Sequence, residues 1–147
     1  MPGFSKRPRL KLEYDKAIPK ALRKMIIERI ATVLHLFPGW VNKLIVCYDG
    51  SDKDVATIKP EYEYRFVTIT LHRAFIEQDD WSESLIHEVA HSVVRPYVSL
   101  VDRIVEAFVP ETSKLFVYDE LAKAEEAMVE DLAIFADKIG EANGGGL

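Results

Sequence analysis

Apolar residues recur along this chain with two periods, and the switches between them mark out its elements. From about Pro19 to Leu36, Leu22, Ile26, Ile27, Ile30, Val33 and Leu34 fall at helical spacing and form one apolar stripe. Proline suits a first helical turn, because the N–H it lacks would have no partner there. Pro38-Gly39 ends the segment. Lys43 to Tyr48, with Leu44, Ile45 and Val46 inside it, reads as a buried strand closed by the turn residues Asp49-Gly50-Ser51-Asp52. A shorter strand covers Val55 to Ile58. Glu61 to Leu71 then alternates, with Tyr62, Tyr64, Phe66, Thr68 and Thr70 on one side and Glu63, Arg65, Val67, Ile69 and Leu71 on the other. That pattern predicts one continuous strand with an exposed half, at a sheet edge.

The period returns to helical after Asp80. Asp80-Trp81-Ser82-Glu83 has the Asp and Glu of a capping box, and Leu85, Ile86, Val89, Ala90 and Val93 carry the helix to a stop before Pro96. A further helical run covers Tyr97 to Phe108, with Pro110 behind it. The last helix spans about Tyr118 to Ile139, on a stripe of Leu121, Met128, Val129, Leu132, Phe135, Ala136 and Ile139. The fold class is α+β: a helix, a small sheet, then three helices. Residues 1–147 make a single domain, with a basic arm at 1–16 and a fraying tail at 141–147 that includes Gly144-Gly145-Gly146.

Composition narrows the class. Of 147 residues, 48% are hydrophobic and 29% charged, which excludes a disordered chain, a collagen-like repeat and a flexible linker. No stretch approaches the roughly 20 apolar residues that cross a bilayer, so no membrane partner is expected. Met1 to Leu12 carries Lys6, Arg7, Arg9 and Lys11 with no apolar run behind them, unlike a secretory signal. The single cysteine, Cys47, allows no internal disulfide; a reducing, cytoplasmic setting is the expectation. The net charge of −5 is unevenly spread: residues 1–24 hold eight Lys or Arg against Glu13 and Asp15, whereas 111–147 hold nine acids against three lysines. A basic arm hints at nucleic acid, but no aromatic stacking pattern accompanies it and the acidic total disfavours that class.

The chemistry-bearing segment is Leu85-Ile86-His87-Glu88-Val89-Ala90-His91, an H-E-x-x-H pattern inside a predicted helix. By chance it arises about once in a hundred chains of this composition. Four residues are just over one turn, so both imidazoles leave the same face about 6 Å apart along the axis. At that separation both can reach one tetrahedral zinc at about 2.0–2.1 Å. Glu88, on the adjoining flank, stands beside the ion without binding it and can take a proton from the bound water, whose pKa the ion lowers toward roughly 7. Cobalt or nickel suits similar ligands. Two histidines leave the site incomplete, since a catalytic zinc keeps three protein ligands and one open position. The metzincin continuation fails, because Val94 and Tyr97 occupy the positions of its glycine and third ligand.

The chain resembles the gluzincin branch of the zincin metallopeptidases, the thermolysin-like class with His, His and Glu ligands. Glu126-Ala127-Met128-Val129-Glu130-Asp131-Leu132-Ala133 resembles that class's second helical pattern, 35 residues beyond His91. The resemblance implies a zincin-like α+β domain in which Glu126 is the third zinc ligand and Glu130, in place of the more usual Asp, orients a ligand histidine. It implies a minimal zinc endopeptidase that cleaves peptide or protein substrates, like compact members found in phage and mobile-element genomes. The residues alone leave Glu125 as an alternative ligand. At 100° per residue Glu125 lies nearest the middle of the apolar stripe, where an acid needs a partner, and Glu126 lies on the flank with Ala122, Val129 and Ala133, at the edge of the core where a site can open. Asp119 and Glu120 read as surface acids.

Tyr97, Tyr118, His72 and Arg95 are candidates for stabilising an oxyanion, with no spacing rule to choose among them. The strand ending at Leu71-His72 offers a free edge to an extended substrate. His35 reads as a helix-end histidine and Cys47 as a small apolar strand residue. The alternative to a peptidase is a catalytically silent binding or regulatory module on the same fold; the presence of Glu88 argues against it.

Overall fold

A computed structural model describes residues 10–142. Most of the basic arm, 1–9, and the end of the tail, 143–147, lie outside the described residues. The architecture is α+β, with a four-stranded mixed sheet and four α-helices. The strands are β1 (Lys11–Tyr14), β2 (Lys43–Tyr48), β3 (Ala56–Glu61) and β4 (Phe66–Leu71), and the helices are α1 (Lys20–Ala31), α2 (Arg73–Glu77), α3 (Trp81–Phe108) and α4 (Glu111–Ala142). The sheet order is β1-β2-β4-β3; β1, β2 and β4 run parallel and β3 runs antiparallel at one edge. No helix among the described residues is long and apolar enough to cross a membrane.

The core lies on one face of the sheet. Leu44 and Val46 of β2 and Val67, Ile69 and Leu71 of β4 alternate inward and are buried against Ile26 and Ile30 of α1, Phe75 of α2, and Leu85 and Val89 of α3. Their partners on the other face, Ile45, Cys47, Thr68 and Thr70, are only half-buried. A second, smaller cluster joins Ala90, Val94 and Val98 of α3 to Val129 of α4. It continues the core along α3 beyond the sheet.

Several boundaries differ from the sequence reading, each for a nonlocal reason. The strand Lys43–Tyr48 is as expected, but the basic arm is not wholly free: Lys11–Tyr14 adds β1 to the sheet, with an ion pair from Lys43 to Glu13 at 2.8 Å. The first helix ends at Ala31, and Leu34–Leu36 forms a separate 3₁₀ turn. The alternating run Glu61–Leu71 is not one strand. Tyr62–Tyr64 forms a 3₁₀ turn, and Arg65 takes the left-handed conformation at φ 58°, held by its Nε donating to the Trp40 carbonyl at 3.1 Å. The chain therefore folds back there, which places β4 inside the sheet and makes β3 the edge. The last helix begins at Glu111 rather than near Tyr118. Phe135 and Ile139 of its expected stripe are exposed, since the second cluster ends near Leu132. Asp80 makes no side-chain capping bond.

The largest correction is at Pro96. The two helices expected on either side of it are one, α3, with the proline inside. A proline deprives the carbonyl four residues back of its helical partner, here that of Ser92. Trp40 supplies the substitute: its indole N–H donates to the Ser92 carbonyl at 2.8 Å. With that buried carbonyl satisfied, the helix continues to Phe108.

Candidate metal centre

α3 lies against the sheet through Leu85, Val89 and Ser92, all buried. His87 and His91, two positions after Leu85 and Val89, leave the helix on the side turned away from the sheet, toward α4, and Glu88, one position before Val89, leaves it sideways toward β3. The imidazoles sit edge to face with their centroids 5.3 Å apart. His87, Glu88 and His91 can each present one ligand atom within 4.8 Å of the others, so the group could hold a metal ion. A cavity of about 580 Å³ opens beside His87 and Glu88, walled by Val55 and Ala56 of the edge-strand approach and by Ala74 and Gln78 near α2.

Both candidate acids of α4 reach the histidines, and they reach different nitrogens. The Glu126 carboxylate turns one oxygen to His87 Nε2 at 3.4 Å and the other to His91 Nε2 at 3.3 Å. Glu125 meets His91 Nδ1 at 3.1 Å. Glu130 is exposed and forms no hydrogen bond or ion pair with either imidazole among the described residues. The contact to a ligand histidine expected of Glu130 is made instead by Glu125, the acid weighed as an alternative ligand. Adjacent helical residues point about 100° apart, so one address on α4 serves both sides of the His91 ring.

This arrangement suits a bound cation. A neutral imidazole has one N–H and one lone pair. If Nδ1–H of His91 donates to Glu125, the Nε2 lone pair faces a Glu126 oxygen, and two acceptors are left opposed. A cation between them removes the conflict, as does a ring that carries a proton on both nitrogens. Glu126 sets a different oxygen against each Nε2, at 3.4 and 3.3 Å, so its carboxylate lies beside both imidazoles.

Burial pushes the Glu88 carboxyl above the usual carboxylate range, against the pull of His91, His87 and the Ile58 backbone N–H. Ile58 belongs to β3, so the edge strand lies beside the acid. The oxyanion candidates separate. Tyr97 is nine residues beyond Glu88, half a turn out of phase, and exposed on the far flank of α3. The Tyr118 hydroxyl donates to Glu106 instead, which pushes its pKa up to about 12. His72 is buried, with Ser51 Oγ at 3.4 Å and Thr57 Oγ1 at 3.3 Å on its two nitrogens. Arg95, one turn past His91, shares the Glu88 flank, and its buried Nε has no partner among the described residues. The free edge assigned to the strand at Leu71 belongs to β3 instead. Burial raises the Cys47 thiol, which suits the inert strand residue expected.

No family model matches the chain, and no curated protein or solved structure matches it.

Proposed function

We propose that the chain is a zinc-dependent metallopeptidase of minimal gluzincin type, on a zincin-like fold. His87, His91 and Glu126 hold the ion and Glu88 is the general base. The observation that carries this reading is the carboxylate of Glu126 lying against both Nε2 atoms, one oxygen to each, at 3.4 and 3.3 Å. When bound, zinc acidifies a water and polarises the scissile carbonyl. Glu88 accepts that water's proton and hands it to the leaving amine as the peptide C–N bond breaks. Its raised pKa brings the carboxyl closer to the operating pH, where one group both takes and returns a proton. Glu125 keeps the His91 proton on Nδ1, leaving Nε2 for the ion. The cavity beside Glu88 and His87 is the place for a substrate side chain.

The test is elemental analysis of the purified protein with a Glu88→Ala variant, both assayed on unfolded protein. The expected result is equal zinc in both and hydrolysis at least 100-fold slower in the variant. Equal hydrolysis removes Glu88 from the chemistry; no bound metal in either removes the reading.

A further inference from the structure

Beyond the second cluster, the solvent face of α3 is apolar. Val93 (42% exposed), Tyr97 (60%), Leu100 (56%), Ile104 (48%) and Phe108 (82%) follow one another at steps of four, three, four and four residues. The first three steps are the spacing of a coiled-coil seam. Every charged residue of α3 after His91, namely Arg95, Asp102, Arg103 and Glu106, lies off this stripe. A helix ending in water should carry its charges outward; this one carries them around the flank that faces the site and the turn before β4.

We infer that the stripe is the contact through which a second copy of this chain associates, by antiparallel packing of the two α3 helices about a two-fold axis near Leu100. The spacing selects a helix as the occupant, since it presents knobs at the intervals another helix accepts. The area selects a second copy. At roughly 200 Å² for a fully exposed large side chain, the five residues leave about 600 Å² open. That is the upper end of the patches monomers tolerate, roughly 300–600 Å². A standard interface takes about 800 Å² from each partner, roughly 65% of it apolar in homodimers, or about 500 Å². The stripe therefore supplies the apolar part of one isologous interface from a single helix. Because an antiparallel pair maps the stripe onto itself about its middle, it is self-complementary. A lipid surface would call for several lysines and arginines beside the apolar face; the nearest here, Arg103, is paired with Glu63.

The contact leaves the metal centre open. Tyr97 stands nine residues after Glu88 and Leu100 nine after His91, two and a half turns in each case, so the stripe and the site occupy opposite flanks of α3. Association of this kind is independent of whether the site is catalytic.

Sedimentation velocity on the full chain between about 1 and 100 µM tests the inference. The expected mass rises to twice 16.8 kDa, and Leu100→Glu weakens association at least about 100-fold, because it buries two like charges at the axis. Leu100→Cys in a Cys47→Ser background should form an intermolecular disulfide under mild oxidation, which keeps the test alive if the glutamate variant fails to fold. A wild-type chain that stays at 16.8 kDa at 100 µM overturns the proposal and leaves the stripe to a helix of another protein or to lipid. A dimer in which the cysteine variant does not cross-link overturns the assigned axis.

Discussion

Trp40→Phe isolates the device that lets α3 pass through a proline. The substitution keeps an aromatic ring in the slot where Trp40 stacks edge-on against Tyr62, but it removes the N–H that serves the Ser92 carbonyl. Ser92 is fully buried, so its carbonyl finds no water. An orphaned buried acceptor costs about 1–3 kcal/mol, and for a chain of this length each kcal/mol lowers Tm by about 2–4 °C. The smaller ring adds a packing loss of its own, so the single variant cannot separate the two effects. Pro96→Ala can. It restores the backbone N–H that belongs, by helical geometry, to the Ser92 carbonyl. In the Pro96→Ala background Trp40→Phe should then cost only the packing loss, which cancels in the cycle. The coupling expected from urea or thermal unfolding of the four proteins, followed by far-ultraviolet circular dichroism, is about 1–2 kcal/mol. Equal costs of Trp40→Phe with and without the proline would refute the idea that the indole replaces the missing donor.

Three further outcomes are expected. Glu125→Ala should lower metal affinity about 10- to 100-fold, as loss of a ligand-orienting carboxylate does, whereas Glu130→Ala should leave it unchanged; competition with a chromogenic chelator reads both, and the reverse order would restore Glu130 to the role. Ser92→Ala should raise stability by up to about 1 kcal/mol, since Ser92 Oγ is buried without a partner; a loss in equilibrium unfolding would mean the hydroxyl has one. Tyr118→Phe should destabilise the α3–α4 pairing near neutral pH. Tyr118 and Lys114 hold the Glu106 carboxyl below its usual range, so this contribution is complete above the unfolded value of about 4.3 and fades as pH falls through the lowered folded value. The gap between wild type and variant in thermal unfolding should therefore close in acid; a gap independent of pH would detach it from the carboxylate.

The sequence was most legible where the decisive contacts are local. Lys43–Tyr48 needs only its own apolar run to become a strand, and H-E-x-x-H needs only one helical turn to align two imidazoles. Where the partner is distant the reading failed, in ways that share a cause. Proline at 96 stops a helix in isolation, and only an indole more than fifty positions earlier in the chain reverses that rule. Alternation of burial holds only over Phe66–Leu71; Tyr62–Arg65 are all exposed, because a 3₁₀ turn plus one left-handed residue reverses the backbone there whatever the alternation of the sequence. Arg65 is a poor turn residue by propensity; its contacts to Trp40 and Gly39 compensate. β1 carried no apolar signal, since its burial pattern is almost wholly exposed and backbone pairing to β2 holds it.

The two acids of α4 illustrate the same division at the site. Helical periodicity put Glu125 in the middle of the buried stripe and Glu126 on its flank, and both descriptions hold: the Glu125 side chain is 19% exposed and that of Glu126 is 55%. What periodicity could not supply is the height at which α4 passes α3. That is set by Val129, fully buried against the small side chains Ala90, Val94 and Val98, one turn beyond Glu125. With Val129 seated there, the preceding turn lies level with His91, and two consecutive carboxylates bracket its ring at Nδ1 and Nε2. A shift of one turn along α4 would bring Val129 and Glu130 level instead and leave His91 Nδ1 without an acid. The packing of Val129 among Ala90, Val94 and Val98 therefore decides which glutamate meets Nε2 and which meets Nδ1, so enlarging Ala90 should weaken metal binding, read by chelator competition, without touching any residue that faces the centre.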